Sequence, residues 1–178
     1  MIDPAPVDIA TRLKPLGFLR VLLLECLGGS SPRFPGYFVP AEDIDTFTAY
    51  RDHVMRLSQQ WQAEPIEPMV VSLLAASRLL CGELAAADLI LDHLPTQPHE
   101  HDKSIRYCPV LPVRAMAAAL PLPPALKENC SRCWLAGSLI EAEVRAWLDA
   151  RRNTLQWDEA NGVYHSADLA KPNVACLD

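Results

Sequence analysis

Apolar residues recur every three or four positions through most of this chain, and prolines or glycines interrupt the recurrence at intervals. The stretch 41–61 shows it most cleanly. Ile44, Phe47, Tyr50, Val54, Leu57 and Trp61 share one helical face, while Glu42, Asp43, Asp45, Arg51, Asp52 and Arg56 take most of the other positions. That spacing predicts a helix with one buried stripe and a wet back, with acids crowding the first turn where the helix dipole favours them. An earlier apolar stretch predicts a helix over 8–27, with Asp8 as its cap, Pro15 as a kink or true beginning, and Gly28-Gly29 as its stop. SSPRFPGYFVP at 30–40 reads as a loop, because three prolines and a glycine leave little room for a regular element. The prolines of EPIEP at 64–68 close the second helix.

The periodicity continues through 69–95, but Gly82 sits in the middle of the run, which predicts two helices joined by a tight turn. Around that glycine, Leu74 and Ala75 precede, and Leu84, Ala87 and Leu91 follow. This arrangement of small and large residues resembles a tetratricopeptide helix hairpin and covers about one repeat, residues 69–95. Arg78 stands where that family usually has an aromatic residue, and Leu94 where it has a small one. A weaker echo follows around Gly137, with Leu139 and Ala142. The resemblance implies a short helical-repeat stack; a generic pair of packed hairpins fits the same residues.

Further on, 96–112 reads as a loop rich in proline and histidine, VRAMAAAL at 113–120 as a short helix, and PLPP as its end. A last helix is expected from Asn129, a good cap, to about Arg152, with Leu135, Leu139, Ile140, Val144, Trp147 and Leu148 on its apolar face. TLQWDEANGVYH at 154–165 places two β-prone runs around Asn161-Gly162, which predicts a hairpin. The final residues carry too little pattern to place. The expected fold is mainly α: antiparallel helical hairpins packed as one bundle or a short helical-repeat-like domain, with a small β-hairpin near the C-terminus. A single domain over 1–178 is expected, with a helical core at about 8–152 and the hairpin and tail at 153–178.

Composition narrows the classes of function. A chain of 178 residues, half of them apolar, can bury about 70% of its unfolded surface in one core. The net charge of −6 and scattered basic residues do not make a nucleic-acid stripe or a membrane-binding run. The run at 15–29 is too short for a transmembrane span and contains Arg20 and Glu25. No secretory signal pattern opens the sequence, so a cytoplasmic protein with reduced cysteines is expected.

Candidate chemistry is concentrated in two places. HEHDKSIRYC at 99–108 offers His99, His101 and Cys108, and CSRC at 130–133 offers Cys130 and Cys133. Two thiols one helical turn apart, at the expected start of a helix, could join a third thiol and an imidazole in tetrahedral zinc coordination. The competing reading is a solvated loop and buried cysteines, since cysteine packs as a small hydrophobe and Cys26, Cys81 and Cys133 lie in apolar stretches. The expected cofactor is therefore none, or one structural zinc. CSRC also has thioredoxin-like spacing, but ALPLPPALKEN before it makes a poor strand. HEHD lacks the Asp-His pair of metallo-β-lactamases, and no P-loop, dinucleotide-binding glycine motif or G-x-S-x-G is present.

Aromatic residues outside the helices form the second group. Phe34, Tyr37 and Phe38 in the proline-rich loop, and Trp157 and Tyr164 on the expected hairpin, either cover the core or contact a partner. These features favour a non-enzymatic, cytoplasmic protein-interaction module, a chaperone, adaptor or immunity-type protein, whose acidity suits a basic protein partner. The alternative is a small zinc-dependent enzyme using the His99–Cys133 cluster.

Overall fold

A computed structural model describes residues 20, 23, 27, 46–61, 68–94, 110–131 and 137–166. These residues are mainly helical: α1 (Phe47–Trp61), α2 (Pro68–Leu79), α3 (Ala86–Asp92), α4 (Val110–Ala119), α5 (Pro124–Ser131) and α6 (Gly137–Arg151). A short 3-10 turn (Arg152–Thr154) leads into an antiparallel hairpin of β1 (Leu155–Asp158) and β2 (Val163–Ser166). In the expected 8–27 helix, Arg20, Leu23 and Leu27 are helical and buried; its other residues lie outside the described ones, as do the loop 30–40 and the tail beyond 166.

Helix α1 buries the middle of the stripe its spacing predicts, with Tyr50 and Val54 wholly covered and Leu57 nearly so, and also buries His53 and Ser58; Phe47 is half-buried, while Ile44 and the Trp61 side chain lie outside what is described. It begins later than the sequence suggests. Thr46 is not helical, and its hydroxyl accepts a hydrogen bond from the Ala49 amide at 3.1 Å, so a threonine cap opens the helix. The first turn therefore holds no acid, and Glu42, Asp43 and Asp45 lie outside the described residues.

Helix α2 starts on Pro68, whose missing amide proton costs nothing at a first helical position. It buries Val70, Leu73, Leu74, Ala75, Ala76 and Leu79, and packs against α1, α3 and α4 at the centre of the core. Its end shows why Gly82 is needed. The Gly82 amide donates to Leu79 O at 3.1 Å and the Glu83 amide to Arg78 O at 3.1 Å, a pair of reverse bonds that close a helix around a left-handed residue. Gly82 takes that position with φ +94°. An ion pair between Arg78 Nε and the Glu83 carboxylate ties the same two positions through their side chains. The chain then turns into α3, whose Ala86, Ala87, Ile90 and Leu91 face the core.

Two further boundaries differ from the sequence reading. Helix α4 begins at Val110 inside the expected loop, because Pro112 occupies its first turn, where proline is tolerated. The single helix expected from Asn129 is replaced by two. Helix α5 starts at Pro124, with the Lys127 amide bonded to Pro123 O at 3.0 Å, so Asn129 and Cys130 lie near its end. Helix α6 starts at Gly137 and presents Ile140, Val144, Trp147 and Leu148 inward as predicted.

Ion pairs fasten α6 to α3 across the bundle. Arg152, just beyond α6, grips both oxygens of Asp88 at 2.7 and 2.8 Å, and Arg145 reaches Asp92 and Glu141. The β-hairpin follows directly, with Trp157 opposite Tyr164. Its loop is organised by Asp158, which accepts from the Asn161 amide at 3.0 Å and from the Asn161 side chain at 2.6 Å. The Gly162 amide donates to Asp158 O at 2.7 Å, with Gly162 at φ +62°. Among the described residues, no helix is long and apolar enough to cross a membrane.

Candidate functional site

The described chemical groups gather where the turn after α2 meets the N-terminal helical segment, α1 and the β-hairpin. Arg20 is wholly buried there. Its Nη2 donates to Leu80 O at 2.9 Å, and its guanidinium lies 4.4 Å from the Phe47 ring centre and 5.6 Å from that of Tyr50. The carbonyls at a helix C-terminus and the faces of aromatic rings both favour a cation. Burial nevertheless works against that charge and lowers the Arg20 pKa, with Tyr50 and Cys81 acting in the opposite direction.

Around this cation the other groups are held neutral. Burial raises the Tyr50 phenol far above its ordinary range, with Cys81 adding to the effect and Ser77 and Arg20 opposing it. The Tyr50 hydroxyl is near Ser77 but does not meet hydrogen-bond geometry, while Ser77 itself donates to Leu73 O at 3.1 Å. Burial pushes the Cys81 thiol up to about 12, against the pull of Arg20. A thiol so protonated is a weak nucleophile at neutral pH. Cys81 lies in the turn after α2, beside Gly82.

The β-hairpin covers this turn. An added Cβ at Gly82 would lie 3.0 Å from the Trp157 indole, so a side chain there would press on the ring as well as strain the backbone angle. Trp157 and Tyr164 face each other with ring centres 5.0 Å apart. Tyr164 is buried and Trp157 packs against the core. Of the two readings open for this pair, the described arrangement is the cover over the helices. Tyr164 is thus not a surface contact in this arrangement: its ring is enclosed and its hydroxyl is buried with no hydrogen-bond partner. Phe34, Tyr37 and Phe38 lie outside the described residues.

Of the five zinc-ligand candidates, Cys130 alone is described; His99, His101, Cys108 and Cys133 lie outside. Cys130 does not stand at a helix N-terminus, where thiolate charge would be favoured. It is buried near the end of α5, and burial, then Glu143, pushes its thiol up to about 11. A metal binding there would have to displace that proton. Among the described residues, no three His, Cys, Asp or Glu side chains are placed to hold a metal ion together.

The sequence signal missed was Arg20. A lone cation inside PLGFLRVLLLECLGG could have been read as a buried anchor, since an amphipathic helix would place its charges on one exposed face. Its acceptor, sixty positions away, had no signal at all.

Comparison with family models, with curated proteins and with solved structures gives no match to this chain.

Proposed function

We propose that the chain is a non-enzymatic, cytoplasmic protein-interaction module, of the chaperone, adaptor or immunity type, that takes a basic partner on an acidic helical face. The observation that carries this reading is the outward side of α6. Ala142, Glu143, Ala146, Asp149 and Ala150 are exposed there along one stripe, while Val144, Trp147 and Leu148 face inward. Three alanines let another backbone approach closely, and two carboxylates give the face its charge. Of the neighbouring cations, Arg145 is engaged with Asp92 and Glu141 and Arg151 lies over the Trp147 ring at 5.6 Å, while Arg152 grips Asp88 and also lies 3.9 Å from Asp149 of this face. A basic helix would find complementary charge and an unobstructed surface.

The test is a photo-crosslinker at position 146, used in extract from the native host at two salt concentrations, with Glu143→Lys/Asp149→Lys as the control. The reading expects one basic protein, crosslinked less at high salt and lost on charge reversal while helical circular dichroism is unchanged. Crosslinking that survives both changes would overturn it.

A further inference from the structure

We propose that the C-terminal β-hairpin is a detachable cover, which opens as a unit above the Cys81–Glu83 turn while the helices beneath it stay folded. The hairpin is tied firmly within itself and at its base. Asp158 fixes the Glu159–Gly162 loop through three hydrogen bonds, two to its carboxylate and one to its carbonyl. The Thr154 and Ser166 hydroxyls meet at 3.2 Å where the strands begin and end, and Thr154 also donates to Arg151 O at 2.9 Å. Just below, Arg152 is held by both oxygens of Asp88. These bonds keep the base in place and the two strands together.

The grip of its inner face is of another kind. Trp157 lies flush on Gly82, where the absent side chain allows contact but supplies no interlocking one. Tyr164 is enclosed, yet its hydroxyl has left water without gaining a partner, which opposes closure. The ion pair from the hairpin loop to α1, Arg51 to Glu159, is 3.7 Å long with both side chains well exposed, so water and salt weaken it. A two-stranded hairpin is marginal on its own, and here its described apolar attachments are Tyr164, Trp157 and Leu155, with β2 lying against α4. A unit with strong internal ties, an anchored base and a weak face opens as a whole instead of fraying. Opening would present Trp157 and Tyr164 together and uncover the Cys81 thiol. The inference rests on this geometry and does not depend on the α6 face binding a partner.

Amide hydrogen exchange followed by mass spectrometry on the full chain tests it, comparing the segment 155–166 with 70–80 in wild type, Trp157→Ala and Tyr164→Phe. In the wild type the hairpin amides are expected to exchange together and well before those of α2. Trp157→Ala should speed hairpin exchange and leave α2 unchanged. Tyr164→Phe removes the unpartnered hydroxyl and should slow hairpin exchange about tenfold. Exchange of hairpin and α2 at one common rate would overturn the proposal, as would acceleration of both segments together by Trp157→Ala. Faster hairpin exchange in Tyr164→Phe would also overturn it, because the hydroxyl would then be bonded in the closed state.

Discussion

The α2–α3 hairpin and the β1–β2 hairpin are each two elements joined through a glycine at positive φ, yet they are held by different physics. Six apolar side chains of α2 and four of α3 enter one core, and the reverse bonds around Gly82 only set the direction in which the chain leaves. The β-hairpin contributes Tyr164 as its buried apolar residue and leans on Trp157, while hydrogen bonds from Asp158 keep its own shape. The first draws its stability from burial shared with every neighbour. The second is locally ordered and borrows stability from the surface it covers.

Substitutions should separate the two. Leu73→Ala empties a fully buried site and is expected to destabilise the protein by about 2–5 kcal/mol, whereas Leu155→Ala on half-buried β1 should cost under about 1.5 kcal/mol, both read by urea unfolding. Gly82→Ala joins the two regions. It forces a side chain into a left-handed position and against the indole, with an expected cost of about 1–3 kcal/mol. Part of that cost should vanish in a Trp157→Ala background, giving a non-additive double-mutant cycle. Arg152→Ala should cost about 0.5–1 kcal/mol, since the pair with Asp88 is bidentate but partly exposed, and Arg152→Lys should not restore it.

The smallest effects concern pH. His53 is held below its ordinary value of 6.5 by burial, then by Arg56, so the unfolded chain takes up the proton first. Its stabilisation is present above 6.5 and is lost as pH falls below it. At the alkaline end the folded pKa is raised, and the sign reverses. Cys130 moves from 9.0 to about 11, so its contribution is complete below 9 and is lost as pH rises towards 11. Thermal unfolding across pH should show His53→Leu flattening the acid limb and Cys130→Ala flattening part of the alkaline one.

Much of the fold was legible because local rules decided it. The stripe on α1, the break at Gly82, the inward face of α6 and the Asn161-Gly162 hairpin each follow from spacing or from a residue with unusual backbone freedom. The misread boundaries all involve prolines or caps whose meaning depends on position. By sequence alone Pro112 and Pro124 count as breakers, yet both sit in first turns, and Thr46 is a cap beside acids that draw attention from it. The candidate site was less legible. Arg20 finds its acceptor at Leu80 and its aromatic faces on α1, pairings that no local pattern encodes. The placement of Cys130 followed from the misread start at Asn129: once α5 begins at Pro124, the thiol moves from an exposed helix entrance to a buried exit.

Fluorine NMR of protein labelled with fluorotryptophan, titrated with urea, tests most directly whether the two regions are held separately. Trp147 reports the helical core and Trp157 the hairpin cover, and each signal can be assigned from its Phe variant. The account expects the Trp157 signal to leave its folded position at a lower urea concentration than that of Trp147. A single shared midpoint would contradict it, and would make the hairpin an inseparable part of the helical core.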